Sequence, residues 1–119
     1  MGGIQSFKDL KIWQLGMDIG ADVYELTKKF PREELYGLTS QVRRSAVSIP
    51  ANIAEGFRRY HPKEHKQFLS IAMGSAAELE TELLLAERLK YISGDDLKTI
   101  SSKLESLGRM LTTIIRRFK

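Results

Sequence analysis

Seven apolar residues, Leu97, Ile100, Leu104, Leu107, Leu111, Ile114 and Phe118, recur in alternating steps of three and four. This spacing holds them on one stripe of an α-helix, whereas a strand would need a period of two. A stripe of this kind is a bundle seam and must be covered by other helices. The chain supplies them. Residues 10–30 carry Ile12, Leu15, Ile19, Val23, Leu26 and Phe30 at helical spacing and stop at Pro31. Residues 62–91 carry Phe68, Ala72, Ala76, Leu79, Leu83 and Ala86, and Ser93-Gly94-Asp95-Asp96 then reads as a turn with capping side chains. Short turns between long helices force antiparallel neighbours. The expectation is an all-α, antiparallel up-down-up-down four-helix bundle, one domain over residues 1–119 with 1–7 as a flexible start.

The remaining helix, residues 34–59, contains Pro50, which lacks an amide hydrogen and crowds the carbonyl of Ala46, at a cost of about 3 kcal/mol in a helix interior. Leu38, Val42, Ala46, Ile49 and Ile53 keep helical spacing across it. That favours one helix kinked at Pro50 over a break in which Ser48 caps a new helix and Pro50 sits in its first turn. Asn52 lies near the same face and is placed either to reach the carbonyl freed by Pro50 or to set a register between subunits.

Composition removes several function classes. There is no cysteine among the 119 residues, so disulfides, thiolate zinc sites and cysteine nucleophiles are excluded, and a cytoplasmic location is the default expectation. No apolar run is long enough for a membrane span, and no leader is recognisable. Met1 to Ser6 fits the loose N-myristoylation pattern, for which a flexible start is the plainer reading. His61 and His65 have the spacing of a zinc pair, but Pro62 opens the helix after His61 and no third ligand is apparent. No catalytic group, metal or cofactor is expected, and the chain reads as non-enzymatic. Glu78, Glu80 and Glu82, spaced by two, read as a solvated or interface face. Met73, Ala77 and Leu84 point away from the core stripe of their helix, which suggests self-association.

Five sequence blocks together resemble one family: Phe7 to Trp13, Phe30-Pro31, Leu38 to Ala46, Ser48-Ile49-Pro50-Ala51-Asn52-Ile53-Ala54-Glu55-Gly56, and Phe68 to Ser75. They are similar to the four-helix bundle proteins encoded in intervening sequences of 23S ribosomal RNA genes, and to the related accessory protein of diversity-generating retroelements, which works beside a reverse transcriptase. The resemblance covers nearly the whole chain. It implies a homopentamer with nucleic acid as ligand, and places the family motif on Ser48, Pro50, Asn52, Glu55 and Gly56, with the arginine pair at Arg43 and Arg44. Phe57 departs from the small residue the family often has there.

Topology also places charge. The start of the first helix, the end of the second, the start of the third and the end of the fourth must share a pole. That pole collects Lys8, Lys11, Arg58, Arg59, Lys63, Lys66, Arg116, Arg117 and Lys119 against Asp9, Glu55 and Glu64, in a chain of net charge +4. This is the footprint of a phosphate-binding surface, with Tyr60 and His61 beside it to stack on unpaired bases. A solvated basic end that complements helix C-termini is the plainer alternative. RNA or another nucleic acid is the expected partner, a nucleic-acid-processing enzyme the alternative one. Arg43 and Arg44 fall toward the opposite pole, where an inter-subunit ion pair is expected.

Overall fold

The computed structural model describes residues 6–118. Four helices, α1 (Lys11–Leu26), α2 (Leu38–Phe57), α3 (Pro62–Arg88) and α4 (Gly94–Ile115), are joined by short turns, and there is no strand among the described residues. Each helix packs on its chain neighbours and α4 closes back on α1, giving an antiparallel four-helix bundle 48 Å long and 23 × 22 Å across. Leu97, Ile100, Leu104, Leu107 and Leu111 of the α4 stripe are buried against Ile19, Val23, Ile49, Ile53, Leu79 and Leu83 from the other three helices. Ile114 and Phe118 are only half-buried, because the stripe runs out at the end of the bundle.

Local chemistry trims the expected helices. α1 stops at Leu26, where Thr27 turns its hydroxyl back to the Val23 carbonyl at 2.8 Å and the chain tightens into a 3₁₀ turn over Thr27–Lys29. α2 starts at Leu38, not near residue 34, because the Glu34 carboxylate accepts the Leu38 amide at 3.0 Å and so acts as the cap. α3 ends at Arg88. Lys90 takes a left-handed conformation at φ 67°, and the Tyr91 amide reaches the Ala86 carbonyl at 2.9 Å while the Lys90 amide reaches that of Glu87, a Schellman closure normally given to glycine. At the α4 start, Ser93 and Asp96 form a reciprocal capping box as their spacing suggested.

α2 runs unbroken through Pro50, so the alternative of two helices falls. The proline is buried against α1 at Gly16, where an added Cβ would lie 3.3 Å from the Pro50 Cβ. Asn52 does not reach the Ala46 carbonyl. Its amide donates to the Ser48 carbonyl at 2.8 Å and the Ser48 hydroxyl at 2.9 Å, and that hydroxyl meets Ser75 of α3 at 2.8 Å.

α3 is rotated from its expected face. Leu69, Ser75 and Glu82 are buried with Ala72, Leu79, Leu83 and Ala86, while Phe68 and Ala76 are half-buried. Phe7, assigned to the flexible start, packs edge-on to Trp13 with ring centres 5.4 Å apart, and Ser6 caps the turn before it. The rest of that start, with its acylation pattern, lies outside the described residues, as does Lys119.

Candidate nucleic-acid interface

Four elements deliver the basic residues to one end of the bundle. Lys8 and Lys11 come from the turn before α1 and its first residue, Arg58 and Arg59 from the end of α2, Lys63 and Lys66 from the first turns of α3, and Arg116 and Arg117 from the end of α4. All eight are exposed. Contacts between the elements tie this pole together. The Arg58 guanidinium lies 5.7 Å from the centre of the Phe7 ring, and the His65 imidazole stacks on Phe118 at 5.5 Å. Gly56 lets α3 approach the end of α2, since a Cβ there would lie 3.1 Å from the Phe68 Cβ.

The eight cations are not equivalent. Arg59 is held by its own chain: it pairs with Glu55 one turn back, lies 4.0 Å from Glu64 and stacks 4.9 Å over the Phe68 ring. It is a closing contact between α2 and α3. Among the described residues, the other seven make no ion pair. Between them the surface is apolar. A cleft of about 310 Å³ between α1 and α4 is lined by Leu10, Met110 and Ile114 and flanked by Lys11 and Arg117. A smaller slot of about 140 Å³ runs inward past Phe57, His65 and Phe118. Phe57 thus forms one wall of an apolar hollow. At the tip, Tyr60 is 96% exposed in the α2–α3 turn, beside Arg59 and the N-cap residue His61. His61 and His65 are not joined into a metal cluster: among the described residues no three His, Cys, Asp or Glu side chains converge.

At the opposite pole some charges are matched, while Arg32, Arg88, Lys90 and Lys98 make no ion pair among the described residues. Lys29 pairs with Asp96 at 2.7 Å, and this ammonium, with the Ser93 amide, lowers the Asp96 carboxyl to about 2. Glu34 is held below its ordinary value by the Leu38 amide and by the Tyr91 hydroxyl at 2.8 Å, which in turn pushes the Tyr91 phenol up. Lys28 pairs with Glu25, and Lys103 with Asp22 further along the bundle.

Arg43 turns inward on its own chain. Its Nε donates to the Thr27 hydroxyl at 2.8 Å and its guanidinium stacks 4.7 Å over Tyr24. Arg44 remains exposed. Of the family-motif residues, Ser48, Pro50 and Gly56 serve contacts between helices, Asn52 bonds Ser48 within α2, and Glu55 serves Arg59.

Sequence reasoning missed Glu82. It is only 7% exposed, and burial pushes its carboxyl pKa up, with the Ser45 hydroxyl and Gln41 offsetting part of the effect and Glu78 adding to it. The signal was present: Glu82 stands three residues after Leu79 and four before Ala86, on the core stripe.

A family described as 23S rRNA-intervening sequence protein matches residues 8–113, and the chain belongs to that family. Among solved structures, it is similar to a protein of unknown function from the S23 ribosomal protein family of Bacteroides thetaiotaomicron, at 26% identity and a TM-score of 0.81. That match covers 87% of this chain and 97% of the other. No curated protein matches the chain.

Proposed function

We propose that this member of the 23S rRNA-intervening sequence protein family is a non-enzymatic, oligomeric bundle that binds RNA, or another nucleic acid, through its basic pole. The observation carrying this reading is that seven exposed cations from four elements converge on one end of the bundle without an ion-pair partner among the described residues. Exposed, unpaired cations neutralise phosphates and release the counterions condensed on the nucleic acid. Tyr60 and His61 add stacking surface, so single-stranded or looped RNA is the favoured form.

Assembly multiplies the effect. Met17, Tyr24 and Val47 are exposed on α1 and α2, and Ile71, Leu84, Leu85 and Leu89 on α3. Two unlike apolar surfaces suit a heterologous, ring-closing contact, and the pentamer implied by the family resemblance is one such ring. Each copy would then add its pole to a shared basic rim.

The test is a titration of labelled single-stranded RNA with the wild type and with Arg58→Glu/Arg117→Glu at two salt concentrations. Equal affinities reject the pole as the binding site.

A second reading rests on the apolar cleft between Lys11 and Arg117. This combination suits an acidic protein surface with an apolar anchor, and the likeness to the retroelement accessory protein makes a nucleic-acid-processing enzyme the natural candidate. Recovery of a protein partner that survives nuclease treatment, with no RNA retained, would favour it over the first.

A further inference from the structure

Far from the basic pole, where the end of α1 meets the first turns of α2, a hollow of about 640 Å³ is lined by Tyr24, Tyr36, Ser40, Arg43, Arg44 and Val47, among others. A second hollow of about 510 Å³ shares Tyr36, Ser40, Arg44 and Ser48 with it and continues over α2 to Glu78. No aspartate or glutamate lines the first hollow among the described residues. Two guanidinium groups therefore share one concave wall with no carboxylate among them, and neither makes an ion pair among the described residues. A cleft lined by charge of one sign focuses its field on the opposite sign.

The two arginines are held differently. Arg43 is fixed in place, because its Nε donates to the hydroxyl of buried Thr27 at 2.8 Å and its guanidinium stacks 4.7 Å over the Tyr24 ring. Arg44, the next residue, is exposed and adjustable. One pre-set and one mobile guanidinium suit an anion with several oxygens, which both can bond. Tyr36 lines both hollows and is nevertheless 94% exposed, so a broad aromatic face stands in water beside the arginines. Leu35 and Val47 add apolar surface to the same wall. The hollow falls within the range of about 300–1,000 Å³ common to small-molecule sites and is too large for a bare phosphate.

We propose that this hollow binds a nucleoside monophosphate, with its phosphate between Arg43 and Arg44, the Ser40 hydroxyl donating to it, and its base stacked on Tyr36. A free nucleotide and the phosphorylated 5′ end of a nucleic acid present this same group. The site does not depend on the basic pole, so binding there and binding here can fail separately.

The test titrates 5′-GMP into the Arg58→Glu/Arg117→Glu protein, in which the basic pole competes less for phosphate. In the expected result, the amide resonances of Tyr36, Ser40, Arg44 and Ser48 shift and saturate with GMP, whereas guanosine and inorganic phosphate each bind about tenfold more weakly. Adding Arg44→Gln weakens GMP binding about tenfold, and adding Tyr36→Ala weakens it about fivefold. Both positions are exposed, and circular dichroism verifies that each variant is folded. A 5′-phosphorylated dinucleotide that binds more tightly than GMP assigns the nucleic-acid end as the ligand; weaker binding assigns the free nucleotide. Shifts confined to the basic pole, or equal GMP affinities with and without the two added substitutions, overturn the proposal. So does an absence of GMP binding combined with dispersal of the assembly by Arg44→Gln in sedimentation velocity, since the arginines then serve acids of a neighbouring copy.

Discussion

The two ends of this bundle differ in how many acids stand among their cations. At the pole formed by the α2–α3 turn, Lys11, Arg58, Lys66 and Arg117 stand in water and make no ion pair among the described residues. At the other, Lys29 and Asp96 close on each other and Glu34 is held by an amide and a phenol. A net charge of +4 describes neither end. What matters for a polyanion is the excess of positive over negative charge in one place, and where the fold gathers each residue, not the chain total, decides that excess.

The largest expected effect tests the open pole directly. Replacing Arg58 and Arg117 by glutamate should weaken RNA binding by about 10- to 100-fold near 0.1 M salt and flatten the plot of log affinity against log salt by about two units or more, whereas Lys28→Glu/Lys29→Glu at the closed pole should change affinity less than about twofold. Filter binding over a salt series checks both. Arg59→Gln sharpens the contrast within the open pole, since its pairing with Glu55 predicts a smaller loss of affinity than Arg58→Gln.

Next in size is packing beneath that pole. Gly56→Ala places a methyl 3.1 Å from the Phe68 Cβ and should destabilise the fold by about 1 to 2 kcal/mol, read as a fall in the urea midpoint. Glu82→Gln should act in the other direction. Because the folded-state pKa of Glu82 is raised, the native state holds this proton more tightly than the unfolded chain; stability from this group is present below the unfolded value of 4.5 and is lost as pH rises through the folded value. The variant is therefore expected to gain about 1 kcal/mol over wild type at pH 7 and little at pH 4, by thermal melts at the two values. The smallest effect belongs to the closed pole. Asp96, lowered to about 2, contributes stability above its unfolded value of 3.8 that disappears as pH falls through 2, so Asp96→Asn should lower the melting temperature at pH 6 and leave it nearly unchanged at pH 2.

How far the sequence foretold this molecule depends on which forces act. The α4 stripe was legible because burial repeats with the helix period, and the Ser93–Asp96 box because capping is local in the chain. The gathering of cations at one end followed from antiparallel topology alone. Their inequality did not, because Arg59 is neutralised by a rotamer choice that periodicity does not encode, and Arg43 is drawn to Thr27 by a helix end that came four residues early. Phe68 and Leu69 exchanged places because one residue is 100° of helix, so a small error in phase moves a side chain from core to surface. Glu82 was hidden by its spacing from Glu80; its spacing from Leu79 and Ala86 was the informative one.

Pro50 and Gly16 meet where any side chain on the first helix would press against the proline ring. A bulky ring seated against a bare spot opposite it behaves as a detent, resisting axial slip of the first helix along the second. The separation between Lys11 and Arg58, roughly one to two turns of helix away, is thereby inherited from a contact within the rod, and a change at Gly16 should retune the tip without touching any charge.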